Sequence, residues 1–255
     1  MDSHNDKLFL LRGSIALNNL GVALMQQHRF HEAMDTLRDS MVAIQSCMPG
    51  NETPASKFAT IEDCLRKANQ RSSSTSHVPS LIHRGQEIFV SSTEDADIFS
   101  VLHRGHLDKF YTESAQFSPI RIRESLLEST DLDFSSAIIL YNMGLSHLAL
   151  SRTVSTEADA YLCQTTSLKM LRMSYSIVYN HFAASSDDDD ADNENRVLLM
   201  AIVLRKIVAA LKDMHLYQQA DEALNALTTL DDAMKQMSCF ELFEEEHVPC
   251  PAAAA

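Results

Sequence analysis

The chain lacks tryptophan and has only six glycines and six prolines in 255 residues. Folds made of many tight turns consume both residues, so the scarcity argues against an all-β sandwich or barrel and favours helix. Positive charge is also scarce: 21 Lys and Arg stand against 35 Asp and Glu, a formal net charge of -14. Phosphate backbones and anionic lipid surfaces are held by clustered Lys and Arg, so nucleic acid and membrane are not the expected partners. Five cysteines, at 47, 64, 163, 239 and 250, form an odd set without C-x-x-C spacing. That pattern supports neither a disulfide framework nor a Cys-rich zinc site. No apolar run reaches the roughly 18 residues of a membrane span. The N-terminal MDSHNDKLFLLRGS puts acidic residues before a short apolar run, unlike a secretory signal. The expectation is an unexported cytoplasmic protein with reduced thiols, the nucleus being the other compartment compatible with it.

What is present is helical periodicity. Leu10, Leu17, Leu20 and Leu24 share one face of a helix expected over 6–27. His28-Arg29-Phe30 makes a tight turn, and Ala33, Leu37, Met41 and Ile44 mark a second helix over 31–48. Pro49-Gly50-Asn51 ends it. A shorter helix is expected at 54–69, followed by the serine-rich link RSSSTSHVPS. LIHRGQEIFV carries β-favouring residues and SPIRIRE alternates apolar with charged, which predicts two short strands around an irregular loop at 92–115. Helix returns from Phe134, then from about 158 to 182. The run ASSDDDDADNEN at 184–195 is expected to be an acidic loop, before helices at 197–214 and 217–237. Residues 238–255 are expected to form an acidic, flexible tail.

Gly21 sits inside the first helix, where glycine costs about 1 kcal/mol relative to alanine. Small residues at a crossing let two helices approach closely, and Ala33 lies 12 residues on in the partner helix. Leu17-x-x-Leu20-Gly21-x-x-Leu24 followed by Phe30 and Ala33-x-x-x-Leu37 resembles the tetratricopeptide repeat (TPR). A second copy runs Leu140-x-x-Met143-Gly144-x-x-His147, with Ser167-x-x-x-Leu171 in its partner helix. There the small residues are 23 apart, so an 11-residue insertion is expected in the turn. A third copy runs Leu204-x-x-Ile207-Val208-x-x-Leu211, then Tyr217-x-x-Ala220-x-x-x-Leu224, with Val208 in place of the glycine. The copies are not in tandem. The resemblance implies a mainly α fold of three antiparallel TPR-like helix pairs, at about 6–48, 133–182 and 194–237. They would stack as a short solenoid in one domain over 1–237, with a β-containing insertion at 49–130 after the first pair. Leu20, Gly21, Ala33, Gly144 and Ala220 are its expected repeat-packing residues.

In TPR-like folds the first helix of each pair lines a concave groove for an extended peptide or a helix. Carried over, the groove would offer Ile15, Asn18, Val22 and Met25, then Ile138, Tyr141, Asn142 and Leu145, then Ile202, Arg205, Lys206 and Lys212. Tyr141 is the expected anchor, since tyrosine is enriched at binding hot spots. Only Asn142 and Lys206 match the family's cluster for acidic chaperone tails, which disfavours that ligand. The long insertion could instead lie across the groove as an internal ligand.

Little in the sequence suggests chemistry. His77, His83, His103 and His106 gather in the insertion without a clear third metal ligand. Asp187 to Asp190, Asp192 and Glu194 lack the spacing and central glycine of a calcium loop. No phosphate-binding, dinucleotide, zinc-protease or nucleophile-elbow motif occurs. The expectation is a non-catalytic adaptor or scaffold without cofactor or metal, whose partner is another protein. A structural subunit of a larger assembly and a metal-dependent enzyme built on the insertion histidines are the alternatives.

Overall fold

The computed structural model describes residues 3–48, 53–72, 81–84, 87–90, 119–122, 132–184 and 190–245. Apart from the short strand pair at 81–84 and 87–90, the fold of these residues is all-α: seven helices packed antiparallel. They are α1 (Ser3–Gln26), α2 (Phe30–Cys47), α3 (Pro54–Ser72), α4 (Leu132–Ser151), α5 (Glu157–Ala184), α6 (Asp190–Asp213) and α7 (Tyr217–Glu245). α1 packs on α2, α2 on α4, α4 on α5, α5 on α6 and α6 on α7, while α3 lies on both α1 and α2.

Local signals explain the boundaries. α1 and α6 both end in a turn with a left-handed histidine, His28 at φ 60° and His215 at φ 58°. In the first, Arg29 N–H bonds Leu24 C=O and His28 N–H bonds Met25 C=O; in the second, Leu216 reaches Leu211 and His215 reaches Lys212. That pair of bonds is the Schellman closure of a helix end, here with histidine where glycine is usual. Aromatic residues two positions on, Phe30 and Tyr217, pack against these imidazoles. Pro54 opens α3, a position where its missing N–H costs nothing.

The glycine crossings are built as the spacing predicts. A Cβ placed on Gly21 would lie 2.7 Å from Leu37 Cγ and 3.5 Å from the Ala33 carbonyl oxygen; one on Gly144 would lie 2.9 Å from Leu171 Cγ and 3.4 Å from the Ser167 carbonyl oxygen. Seven residues away from each crossing, the two pairs repeat the same polar stitch. Ser40 Oγ donates to Ser14 C=O at 2.7 Å, and Ser174 Oγ donates to Ala137 C=O at 2.7 Å. Ser167 Oγ also donates to Gly144 C=O at 2.7 Å. These hydroxyls are buried, and each is satisfied by a carbonyl of the facing helix.

The third pair departs from the first two. Ala220 is buried, but Leu224 is 40% exposed, whereas Leu37 and Leu171 are fully buried. Val208, which is buried, stands where the other two pairs have glycine.

Several boundaries differ from expectation. The extra residues between Gly144 and Ser167 do not form a long turn. The turn is 152–156, and most of the insertion lengthens α5, which starts ten residues before Ser167, whereas α2 starts three before Ala33. α6 begins at Asp190, so the end of the acidic run is helix rather than loop; carboxylates are favoured in a first turn by the helix dipole. α7 runs on to Glu245, past the expected start of the tail.

Both short strands fall inside LIHRGQEIFV. Leu81–Arg84 (β1) and Glu87–Val90 (β2) pair antiparallel, with Leu81 opposite Val90 and Arg84 opposite Glu87. No strand lies among the residues whose side chains are described. The strand expected in SPIRIRE is absent at 119–122, where the backbone joins no ladder. Finally, Lys7–Gln26 is long and apolar enough to cross a membrane, contrary to the sequence reading. In the fold 83% of that window is buried, so its apolar character is used in packing.

Candidate peptide-binding groove

Asn18 and Asn19 lie on α1 and Asn142 on α4. Asn19 and Asn142 each stand two residues before the crossing glycine of their pair, so they occupy equivalent places. Between them runs the chain's own segment Pro119-Ile120-Arg121-Ile122. Asn142 Oδ1 accepts from Ile120 N–H at 2.8 Å, and Asn142 Nδ2 donates to Ile120 C=O at 2.7 Å. Asn19 does the same one step along: Oδ1 accepts from Ile122 N–H at 2.9 Å, and Nδ2 donates to Ile122 C=O at 2.8 Å.

A side-chain amide carries a carbonyl acceptor and an NH2 donor, so it can pair with the N–H and C=O of one extended residue as a neighbouring strand does. In extended chain, alternate residues turn their N–H and C=O to the same side. Two asparagines therefore substitute for a partner strand, clamping residues two apart. Asn18 joins the clamps: its Nδ2 donates to Ile120 C=O at 3.2 Å, and its Oδ1 accepts from Asn142 Nδ2 at 2.9 Å. Asn18 and Asn142 are fully buried. Pro119, also buried, brings no N–H that would need a partner.

The side chains of the segment divide by face. Ile120 and Ile122 are 2% and 3% exposed and belong to the main core. Arg121 is half-buried, and its Nη2 donates to Gln26 Oε1 at 2.9 Å.

The expected groove residues separate accordingly. Asn18 and Asn142 meet at the segment. Val22, Met25, Tyr141 and Leu145 are buried, as are Ile15 and Ile138, so none presents an open anchor surface. Tyr141 is wholly enclosed, and burial pushes its phenol well above the usual tyrosine range. The correction is that this stretch of groove is filled. Arg205 belongs elsewhere: its Nη2 bonds both carboxylate oxygens of Asp231 on α7, at 3.2 and 3.3 Å. Lys206 sits two residues before Val208, the place equivalent to Asn19 and Asn142. Burial first, then Arg152 and Arg205, pull its ammonium down to about 8. Lys212 is exposed.

Asn19 was missed by the sequence reading. Its signal was the register: it matches Asn142 relative to the glycine, whereas Asn18 matches Tyr141. The insertion histidines lie outside the residues whose side chains are described. Among the described residues, no three His, Cys, Asp or Glu side chains gather as a metal site. Compared with family models, curated proteins and solved structures, the chain has no significant match in any of the three.

Proposed function

We propose that the chain is a non-catalytic interaction protein, an adaptor or scaffold of the cytoplasm, that binds an extended peptide of a protein partner along α1 and α4. The paired asparagine clamps carry this reading. They engage only main-chain N–H and C=O, which an extended peptide leaves free and a helix uses internally. An extended peptide is therefore a better ligand than a helix.

A TPR-like solenoid is the architecture proposed with it. Three observations support that: neighbouring helices follow one another in packing order, the glycine crossings repeat, and the clamp asparagines recur at one register. The structural-subunit reading draws on one feature, the exposed Tyr161 and Leu162 at the start of α5, 60% and 65% accessible.

Selection of a random-peptide library on the full chain tests the peptide reading. Enriched sequences should be lost when Asn19 and Asn142 are changed together to alanine. No enrichment by the native chain or by an Ile120→Asp/Ile122→Asp variant would end it.

A further inference from the structure

We propose that residues 119–122 are an exchangeable occupant of the groove. A partner segment with β-branched apolar residues two apart, flanking a polar one, takes their place on the same asparagines. The inference rests on the peptide-binding reading and adds the sequence pattern of the partner and the competition that controls it.

Three observations carry it. First, side chains hold the main chain of this segment: Asn18, Asn19 and Asn142 make five bonds to it between them. The segment is not part of any helix, so its departure costs the burial of Ile120 and Ile122 but breaks no hydrogen bond within a helix. Second, the backbone bonds are indifferent to sequence, so selectivity must come from what is enclosed. Ile120 and Ile122 are enclosed, while Arg121 is half-buried and bonds Gln26 on α1. The pattern apolar–polar–apolar is thus the one this part of the groove accepts. Branching at Cβ restricts the side chain and favours the extended backbone the clamps require. Third, the occupant is tethered to the groove it fills. A tether holds a ligand at millimolar effective concentration, so a free peptide meets a site that is open only part of the time. The native chain is therefore a weak binder until its own segment is released.

The test uses the full chain and a fluorescent peptide of residues 115–126, AQFSPIRIRESL, read by anisotropy. Ile120→Asp/Ile122→Asp in the chain should tighten binding by about tenfold or more, because the cis competitor no longer docks. A peptide with Ile and Arg exchanged, AQFSPRIIRESL, should bind that variant about tenfold more weakly, since a guanidinium then falls at the enclosed position of Ile120. Equal binding by native and variant chains would overturn the exchange. Equal binding of the two peptides would overturn the pattern while leaving peptide binding standing, and binding of neither would remove both. Should the variant fail to fold, protease sites placed within 91–118 and 123–131 allow the native chain to be cut on both sides of the segment. Incorporation of labelled peptide by the nicked protein supports exchange, and retention of the original segment against excess peptide overturns it.

Discussion

At the scale of single residues, the two helical glycines are explained by the leucines they face. Alanine at 21 would gain about 1 kcal/mol of helix propensity, but its methyl would stand 2.7 Å from Leu37 Cγ. Overpacking of that kind typically costs about 1–3 kcal/mol, so Gly21→Ala should destabilise slightly and Gly21→Leu by the full range. The sign should reverse when the obstacle is removed. Leu37→Ala alone should cost about 2–5 kcal/mol through the cavity it leaves. In that background Gly21→Ala should stabilise, because propensity is gained and space is available. Urea denaturation of the four proteins measures the cycle, and additive effects would show that the two side chains do not compete. His147, three residues beyond Gly144, offers a second test. Its Nδ1 is buried without a hydrogen-bond partner among the described residues. Burial first, and Arg38 second, hold its pKa below the ordinary value. The unfolded chain then takes up a proton that the fold refuses, so stability should fall as pH drops below about 6.5. His147→Gln should flatten that part of the stability curve, measured by urea unfolding from neutral to mildly acid pH.

At the scale of elements, helix existence was legible because apolar periodicity marks it, and all seven expected helix cores stand where the stripes placed them. The ends were less legible because they depend on caps. Thr156 shows why α5 begins at Glu157, as the periodicity expects, rather than after the long turn that the repeat spacing alone implies. Its Oγ1 accepts from Asp159 N–H at 3.1 Å and donates to Asp159 Oδ2 at 2.6 Å, a cap eleven residues before the first buried position, Ser167. Without that cap the segment would look like the long turn its spacing suggests. Thr156→Ala should remove about 1 kcal/mol of local helix stability. Because 157–166 buries no side chain fully, the loss should appear as faster amide exchange across those residues, with the global unfolding midpoint almost unchanged. A comparable drop in global stability would mean that this extension is part of the cooperative core. The third helix pair was misjudged for a related reason. Sequence spacing matches Leu224 to Leu37 and Leu171, but spacing does not register that Leu224 stays exposed where those two are buried.

At the scale of the whole molecule, the site was half legible. The register placed Asn18 and Asn142 in a groove, and the insertion was recognised as able to cover it. SPIRIRE has the alternation of a strand, and residues 119–122 within it join no ladder because side-chain amides provide the pairing a neighbouring strand would otherwise supply. Only the folded chain brings residues 19, 120 and 142 together, since no local pattern encodes a contact across more than a hundred residues. Asn142 is the joint of this arrangement, bonding Ile120 twice and Asn18 once. Asn142→Ala would orphan buried groups at about 1–3 kcal/mol each if the segment stayed in place. Undocking lets water satisfy them, so the penalty should be relieved by release of the segment rather than by global unfolding. Trypsin reports this directly, because the bond after Arg121 lies between two clamped residues. Cleavage there should be slow in the native chain and at least about tenfold faster in Asn142→Ala, tenfold corresponding to about 1.4 kcal/mol of shifted equilibrium. The helical circular dichroism should be retained. Slow cleavage in both chains with a lowered melting temperature would instead make Asn142 a core residue whose loss is borne by the whole fold.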